Sequence, residues 1–375
     1  MTSSRRDFIK ASAAGAAIAA TGGIAGCAEA EQPDNAAAPA NHKPLDILIL
    51  GGTGFIGPHM VREALRRGHS VTLFNRGRTN NTLFPDLETI KGDRDNGLDG
   101  LVGRKWDAVI DNSGYVPRHV QDSARLLAPN CNRYLYISTV AVYTDFTSAI
   151  DEDSPLATID DETVEEVTWE TYGPLKALCE QRAAAEVAPE KYTVLRPTYI
   201  CGPGDHTDRF SYWPIRTRKG GEMLWPGAPA DPIQIVDVRD LSNFTIDCLD
   251  RDISGTFNMV NPPTSYTMGA LLEDCRAISS ADVEATWVSE EFLTANGVEG
   301  GSRELPIWWG KERAMKVSAD RALAAGMHHR PERETARDIL TWWDTLPAER
   351  TATPKAGLSA EQEAELLAAW KESQA

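Results

Sequence analysis

Several things are scarce in this 375-residue chain, and each scarcity removes a class of function. Its six cysteines, at 27, 131, 179, 201, 248 and 275, include no close pair of the Cys-x-x-Cys kind, so neither a thiolate metal site nor a dithiol redox site is expected. Five of them fall in predicted strands or helices and read as small buried apolar residues. Basic residues are outnumbered, 38 Lys and Arg against 55 Asp and Glu, and the net charge of -17 repels a phosphate backbone. Nucleic acid is therefore not an expected partner. Beyond the amino terminus Lys, Asp or Gly interrupts every apolar run before the roughly 18 residues of a membrane span. With 42% apolar and 25% charged residues, the body can bury one large core or two unequal ones.

What is present begins with an address. Ser4-Arg5-Arg6-Asp7-Phe8-Ile9-Lys10 matches the twin-arginine export pattern, and the stretch after it is Ala/Gly-rich and weakly apolar. It ends in Ile24-Ala25-Gly26-Cys27, which resembles a bacterial lipobox and marks Cys27 for lipidation; the alternative is ordinary cleavage with Cys27 incidental. Residues 1–26 then form a signal peptide and 27–44 a lipid-anchor cysteine with a flexible, Pro- and Ala-rich linker. The expectation is passage through the twin-arginine export machinery to the periplasmic side, with a membrane contact only through the lipid anchor.

The next segment carries a ligand signature. Leu45-Asp46-Ile47-Leu48-Ile49-Leu50 reads as a buried parallel strand, Gly51-Gly52-Thr53-Gly54-Phe55-Ile56-Gly57 follows at once, and Pro58 opens a helical pattern ending at Gly68. In a strand–glycine loop–helix unit, Gly51 makes the turn, Gly54 admits a pyrophosphate and Gly57 lets the helix pack closely, with Thr53, Phe55 and Ile56 between them. The second strand, residues 71–74, ends in Asn75-Arg76, where an acid on the ribose 2′-hydroxyl would mark NAD. A guanidinium there suits the 2′-phosphate of NADP, so NADP is expected with NAD as the alternative. Asp93, after a third short strand, could accept from the adenine amino group or simply cap a turn.

Two further motifs carry chemistry. Arg133-Tyr134-Leu135-Tyr136-Ile137-Ser138-Thr139 reads as a central strand that delivers two hydroxyls at its carboxyl end. Tyr172-Gly173-Pro174-Leu175-Lys176 opens a helix that sets Tyr172 and Lys176 on one face at i and i+4. A nearby ammonium would stabilise the phenolate and fit the phenol, whose pKa is ordinarily about 10, for acid/base work.

Taken in this order, the glycine loop, the Ser138-Thr139 strand end and the Tyr172/Lys176 helix resemble the extended short-chain dehydrogenase/reductases, the NAD-dependent epimerase/dehydratase family, from about Leu45 to Leu346. The resemblance implies Tyr172 as acid/base, Lys176 on the nicotinamide ribose and, through Val142-Tyr143, Thr139 rather than Ser138 on the reacting oxygen. It implies an α/β fold, a Rossmann-type doubly wound parallel sheet with a smaller, discontinuous C-terminal substrate domain. The Rossmann part would take 45–201 and 233–254, the substrate domain 202–232 and 255–346, and 347–375 a tail and helix; Val236 to Leu241 would re-enter the Rossmann sheet. Tyr199 stands where nucleotide-sugar members commonly carry Asn, and His206 and Arg209 lie where members line the substrate pocket. The acidic insertion around Asp151, Glu152, Asp153, Asp160, Asp161 and Glu162 reads as a solvated loop.

Three functions compete: an epimerase or dehydratase returning a borrowed hydride, a one-way NADP-dependent carbonyl reductase or alcohol dehydrogenase, and a non-catalytic dinucleotide-binding protein. A sensor has no use for a tuned phenol, so intact Thr139, Tyr172 and Lys176 argue against the last. The twin-arginine route carries folded proteins, and no dinucleotide pool is expected outside; a tightly bound cofactor that returns its hydride to a small-molecule substrate answers both facts. A homodimer is compatible with the sequence but not required by it. Replacing Arg5 and Arg6 together by lysine is expected to hold the protein in the cytoplasm, and Cys27→Ala to free the exported form from membranes, both read by fractionation and immunoblot.

Overall fold

The computed structural model describes residues 43–375, so the signal, Cys27 and most of the linker lie outside the described residues. Seven parallel strands form the central sheet. In chain order they are β1 (Asp46–Leu50), β2 (Ser70–Asn75), β3 (Thr89–Lys91), β4 (Trp106–Asp111), β5 (Cys131–Ile137), β6 (Tyr192–Pro197) and a late strand Gly255–Met259, ordered late strand-β6-β5-β4-β1-β2-β3. β1 shows why such strands are legible: four of its five residues are fully buried, as an interior strand covered on both faces requires.

Helices cover both faces. On one, α1 (Ile56–Arg66) packs beside a later helix, Val238–Asp250, over Ile47, Ile49 and Leu73. On the other, α2 (Pro117–Leu127) packs beside α3 (Trp169–Ala184) over Leu48, Leu50 and Tyr136. This is the doubly wound Rossmann-type sheet expected. A separate core built on Trp213, Trp225 and Trp308 forms the smaller unit, around the parallel pair Gly221–Pro226 and Val283–Val288. Leu366 and Leu367 of the last helix, Ala360–Ser373, enter this core, so the tail docks on it.

The domain division needs two corrections. Gly255–Met259 pairs in register with β6 and is the edge strand of the central sheet, so it belongs to the Rossmann part and not to the substrate domain. Ile235–Asp237 pairs with Tyr199–Cys201 in a two-stranded sheet of its own and does not re-enter the central one. Parallel pairing between distant segments leaves no local mark in a five-residue strand. A third correction concerns the acidic insertion. Glu152 is buried at 7% exposure and accepts from the Asn258 backbone N–H at 2.8 Å, while Asp151, Asp153, Asp160, Asp161 and Glu162 are exposed.

At the turn from β1 to α1, a Cβ on Gly57 would fall 2.5 Å from the Gly52 backbone, so helix and loop approach only because Gly57 lacks a side chain. Gly57→Ala is expected to cost about 1–3 kcal/mol through overpacking and to abolish dinucleotide binding. Chemical denaturation and cofactor content measure the two effects, and a stable, cofactor-loaded variant would contradict this packing.

Candidate active site

The site lies at the carboxyl ends of β1, β4 and β5, where α/β sheets bind ligands. Three observations fit the glycine loop to a dinucleotide. A Cβ built on Gly54 meets nothing within 4 Å, so the protein itself does not need a glycine there. The adjacent helix N-terminus, at Ile56, offers unpaired backbone N–H groups to an anion. Asn112, just past β4, holds a buried Oδ1 with no partner, and its Nδ2 would lie 3.6 Å from a Cβ on Gly51.

The ribose side is less committed. Asn75 turns its Oδ1 back to the Gly77 N–H at 2.8 Å, leaving Arg76 exposed beside it. Asp93 accepts from the Asp95 N–H at 3.2 Å, the turn-capping use left open above. Asn80 donates to Thr53 O at 3.0 Å and so ties the 76–88 loop to the glycine loop, a role the sequence did not suggest.

The two strand-end hydroxyls take different directions, as neighbours on an extended chain must. Ser138 donates to Glu180, whose carboxylate pairs with Arg196 at 2.6 Å in a buried network that extends through Tyr143 to Asn258. Thr139 instead accepts from the Ala141 N–H at 3.2 Å, and its hydroxyl is among the groups that act on the Tyr172 phenol. The choice of Thr139 over Ser138 is consistent with this division.

Tyr172 and Lys176 lie on one helix four residues apart. Lys176 is 3% exposed and donates to Gly114 O at 2.7 Å and Ile137 O at 2.8 Å. The side chains that act most strongly on the Tyr172 phenol are Tyr115, Thr139, Arg209 and Cys179. Burial, with Tyr115 adding to it, raises the phenol above its usual range, and Thr139 and Arg209 oppose the rise. Two carbonyls hold the Lys176 charge, because a buried ammonium needs acceptors at once. Burial in turn lowers Lys176 itself to about 8.

Two residues went unnoticed in the sequence. Gly114 receives both Lys176 and the Tyr136 hydroxyl, at 2.8 Å, on its carbonyl, and a Cβ there would fall 2.5 Å from Val120 and 2.8 Å from the Tyr136 ring. Tyr115, 41% exposed, stands with its ring 6.4 Å from Tyr172 and 5.3 Å from the Lys176 ammonium. The rule that ligands gather beyond carboxyl strand ends would have pointed at the loop after β4. Of the substrate candidates, Tyr199 is buried under the Arg209 guanidinium at 4.8 Å, and exposed His206 meets Phe55 edge-on at 6.3 Å.

This geometry defines an α/β dinucleotide fold with a Tyr–Thr–Lys centre. Residues 47–132 match the family described as NAD dependent epimerase/dehydratase, and residues 2–22 match the twin-arginine translocation signal. The family match covers part of the chain, within the Rossmann-type sheet, and the signal match lies in its first residues. It is similar to the chloroplast stem-loop binding protein of 41 kDa b of Arabidopsis thaliana, 26% identical over 59% of this chain and spanning only 59% of that protein's length. In fold it resembles the Bordetella bronchiseptica enzyme WbmG, solved with NAD and UDP (TM-score 0.61, 16% identity, 84% of this chain and 98% of that one). It also resembles human epimerase family protein SDR39U1, solved with NADPH (TM-score 0.56, 21% identity, 80% of this chain and all of that one).

Lys176 gives a test by pH. Its folded value of about 8 lies below the ordinary 10.5, so below pH 8 both states hold the proton and the cost of burying the charge is felt in full. Between those values only the unfolded chain binds it, and stability rises with pH, by about 3 kcal/mol at most. Urea unfolding from pH 8 to 10.5 is expected to show this rise in the wild type and not in Lys176→Met; equal profiles would refute the buried ammonium.

Proposed function

We propose that the protein is an NADP-dependent enzyme of the epimerase/dehydratase type, acting on a sugar-like or other hydroxy/keto small molecule. The observation that carries this reading is Tyr172 on the same helix as Lys176, whose ammonium is held by carbonyls at the exits of β4 and β5, in a sheet whose glycine loop leaves Gly54 clear of protein contacts. The glycine loop and the first turn of α1 would hold the pyrophosphate, Arg76 the 2′-phosphate, Asn75 and Asp93 the adenosine side, and Lys176 with the Gly114 loop the nicotinamide ribose. When bound, the dinucleotide supplies a hydride acceptor and donor.

In this reading Tyr172 as the phenolate takes the proton of a substrate hydroxyl at its Oη as hydride leaves the carbinol, and the phenol so formed returns that proton when hydride comes back. Thr139 orients the reacting oxygen. The raised phenol pKa favours Tyr172 as the acid in the return step, and Arg209 supplies the opposing positive charge. Stem-loop binding, in the name of one relative, does not fit a chain of net charge -17. Twin-arginine export favours a cofactor loaded in the cytoplasm and held tightly, at roughly nanomolar affinity or better, and Cys27 would then tether the enzyme on the periplasmic side.

Tyr172→Phe keeps the ring and removes the proton carrier. Turnover is expected to fall about 10²- to 10⁴-fold, with bound dinucleotide unchanged, when nicotinamide absorbance and product identity are followed over a panel of sugars, sugar acids and polyols. Near-normal turnover would remove Tyr172 from the mechanism. Stoichiometric absorbance change in the wild type, without isomerised or dehydrated product, would replace this reading by one-way reduction.

A further inference from the structure

Arg94 leaves the turn that follows β3, and its guanidinium ends at the exit of β4. In the sheet β2 and β1 stand between those two strands, so the turn and its side chain together reach past the carboxyl ends of both. The turn is firm at its root. The Gly97 N–H donates to Asp93 O at 2.9 Å, and a Cβ on Gly92 would fall 2.4 Å from the Phe74 ring of β2.

The guanidinium grips both flanks of one loop. Before the loop it forks onto the carboxylate of Asp111, fully buried at the last position of β4, through Nη1 at 2.5 Å and Nη2 at 2.7 Å. After the loop Nη2 donates to Ser123 Oγ at 2.6 Å and to His119 O at 3.3 Å, both on α2. Tyr134 of β5 adds its hydroxyl to Asp111 at 3.0 Å. Only residues 112–116 lie between the two grips, and Gly114 is pressed on the cation itself, since a Cβ there would meet Nη1 at 3.2 Å. The Gly114 carbonyl receives the Lys176 ammonium at 2.7 Å, and the next ring, Tyr115, lies 5.3 Å from the same ammonium.

Stability alone does not call for this arrangement, because a buried ion pair can often be exchanged for apolar side chains of like volume without loss. What the fork supplies is fixed geometry: a planar guanidinium meets a carboxylate and a hydroxyl at set angles, where a lysine would offer a point charge. We infer that Arg94 is a positioning residue of the reacting centre. By holding Asp111 and α2 together it sets the Gly114 carbonyl, which sets the Lys176 ammonium on the helix that carries Tyr172. Its effect passes through Lys176 and not through contact with substrate. The inference rests on the roles given to Tyr172 and Lys176 in the proposed function.

The test is acetylation of the purified, cofactor-loaded protein with acetic anhydride, read lysine by lysine by mass spectrometry, beside turnover on the panel of sugars, sugar acids and polyols. Buried Lys176 is expected to react at least about tenfold more slowly than exposed Lys105 and Lys219. Arg94→Met should speed Lys176 about ten- to a hundredfold with the other two unchanged. Ser123→Ala, which loosens only the α2 side of the grip, should speed it a few-fold. Turnover should fall in the same order through kcat, with KM changed less than about threefold, and Arg94→Lys should recover little of it. Should Arg94→Met fail to fold with Asp111 left unpaired, the triple variant with Asp111→Leu and Tyr134→Phe removes the carboxylate and its other donor together and must expose Lys176 in the same way. Lys176 as protected as in the wild type across the folded variants, or normal kcat where Lys176 has become reactive, would overturn the inference. Tyr172→Phe separates the two readings: if that variant keeps its turnover the catalytic assignment falls, while the labelling still decides whether Arg94 sets Lys176.

Discussion

A lysine held at 3% exposure has to be given acceptors, and much of the site follows from where they are. The two carbonyls that receive Lys176, of Gly114 and Ile137, belong to the exits of β4 and β5, so one ammonium on α3 fixes both strand ends relative to the helix that carries Tyr172. Gly114 can serve only without a side chain, because Val120, Tyr136 and the Arg94 guanidinium crowd it. Arg94 is itself locked, forking onto Asp111 at 2.5 and 2.7 Å and reaching Ser123 at 2.6 Å. The loop bearing Asn112 and Tyr115 thus rests on two buried cations, Lys176 on its two carbonyls and Arg94 on Asp111 and Ser123, with the Arg94 Nε left without a hydrogen-bond partner.

A second buried network fastens the opposite edge of the sheet. Ser138 bonds Glu180, Glu180 pairs with Arg196, Arg196 reaches the Tyr143 hydroxyl at 2.9 Å, and Tyr143 donates to Asn258 at 2.6 Å on the late edge strand. Glu152 closes the ring by accepting the Asn258 N–H, and its own carbonyl accepts from Arg196 at 3.1 Å. Because Ser138 is spent here, the neighbouring hydroxyl is the one left facing Tyr172. One acid of a loop that reads as solvent-facing is therefore a structural member.

What the sequence made legible was what is local. The glycine loop declares itself because strand, turn chemistry and helix start are contiguous, and Tyr172 and Lys176 are four residues apart on one helix. The family resemblance added Thr139. Gly114, Asn112 and Tyr115 were not legible, since a short loop after β4 has meaning only once β1, β4 and β5 are ordered side by side. The late strand at Gly255–Met259 was misplaced for the same reason, and the spacing of Lys176 from Tyr172 says that they share a face but not which acceptors the ammonium meets. Asp208 and the groups that hold it, Arg350 and the Lys355 N–H, lie more than 140 positions apart.

The hold of Arg350 and the Lys355 N–H on Asp208 bears on how the enzyme of the proposed function would keep its cofactor. Segment 202–210 touches Phe55 and His59 at the glycine loop and is pinned from behind through Asp208. A movement that lifts the segment from the glycine loop must break the His59 contact and also pull on Arg350, itself stacked on Trp343 at 5.0 Å, which packs in a small cluster with Ile215 and Leu340. Closure is thereby shared between the amino-terminal helix and the carboxyl-terminal chain. Under the proposed function this suits a protein that is folded and loaded before export: the cover over the dinucleotide loop is complete only when the last thirty or so residues have docked, so a chain competent to retain its cofactor is by construction one that has finished folding.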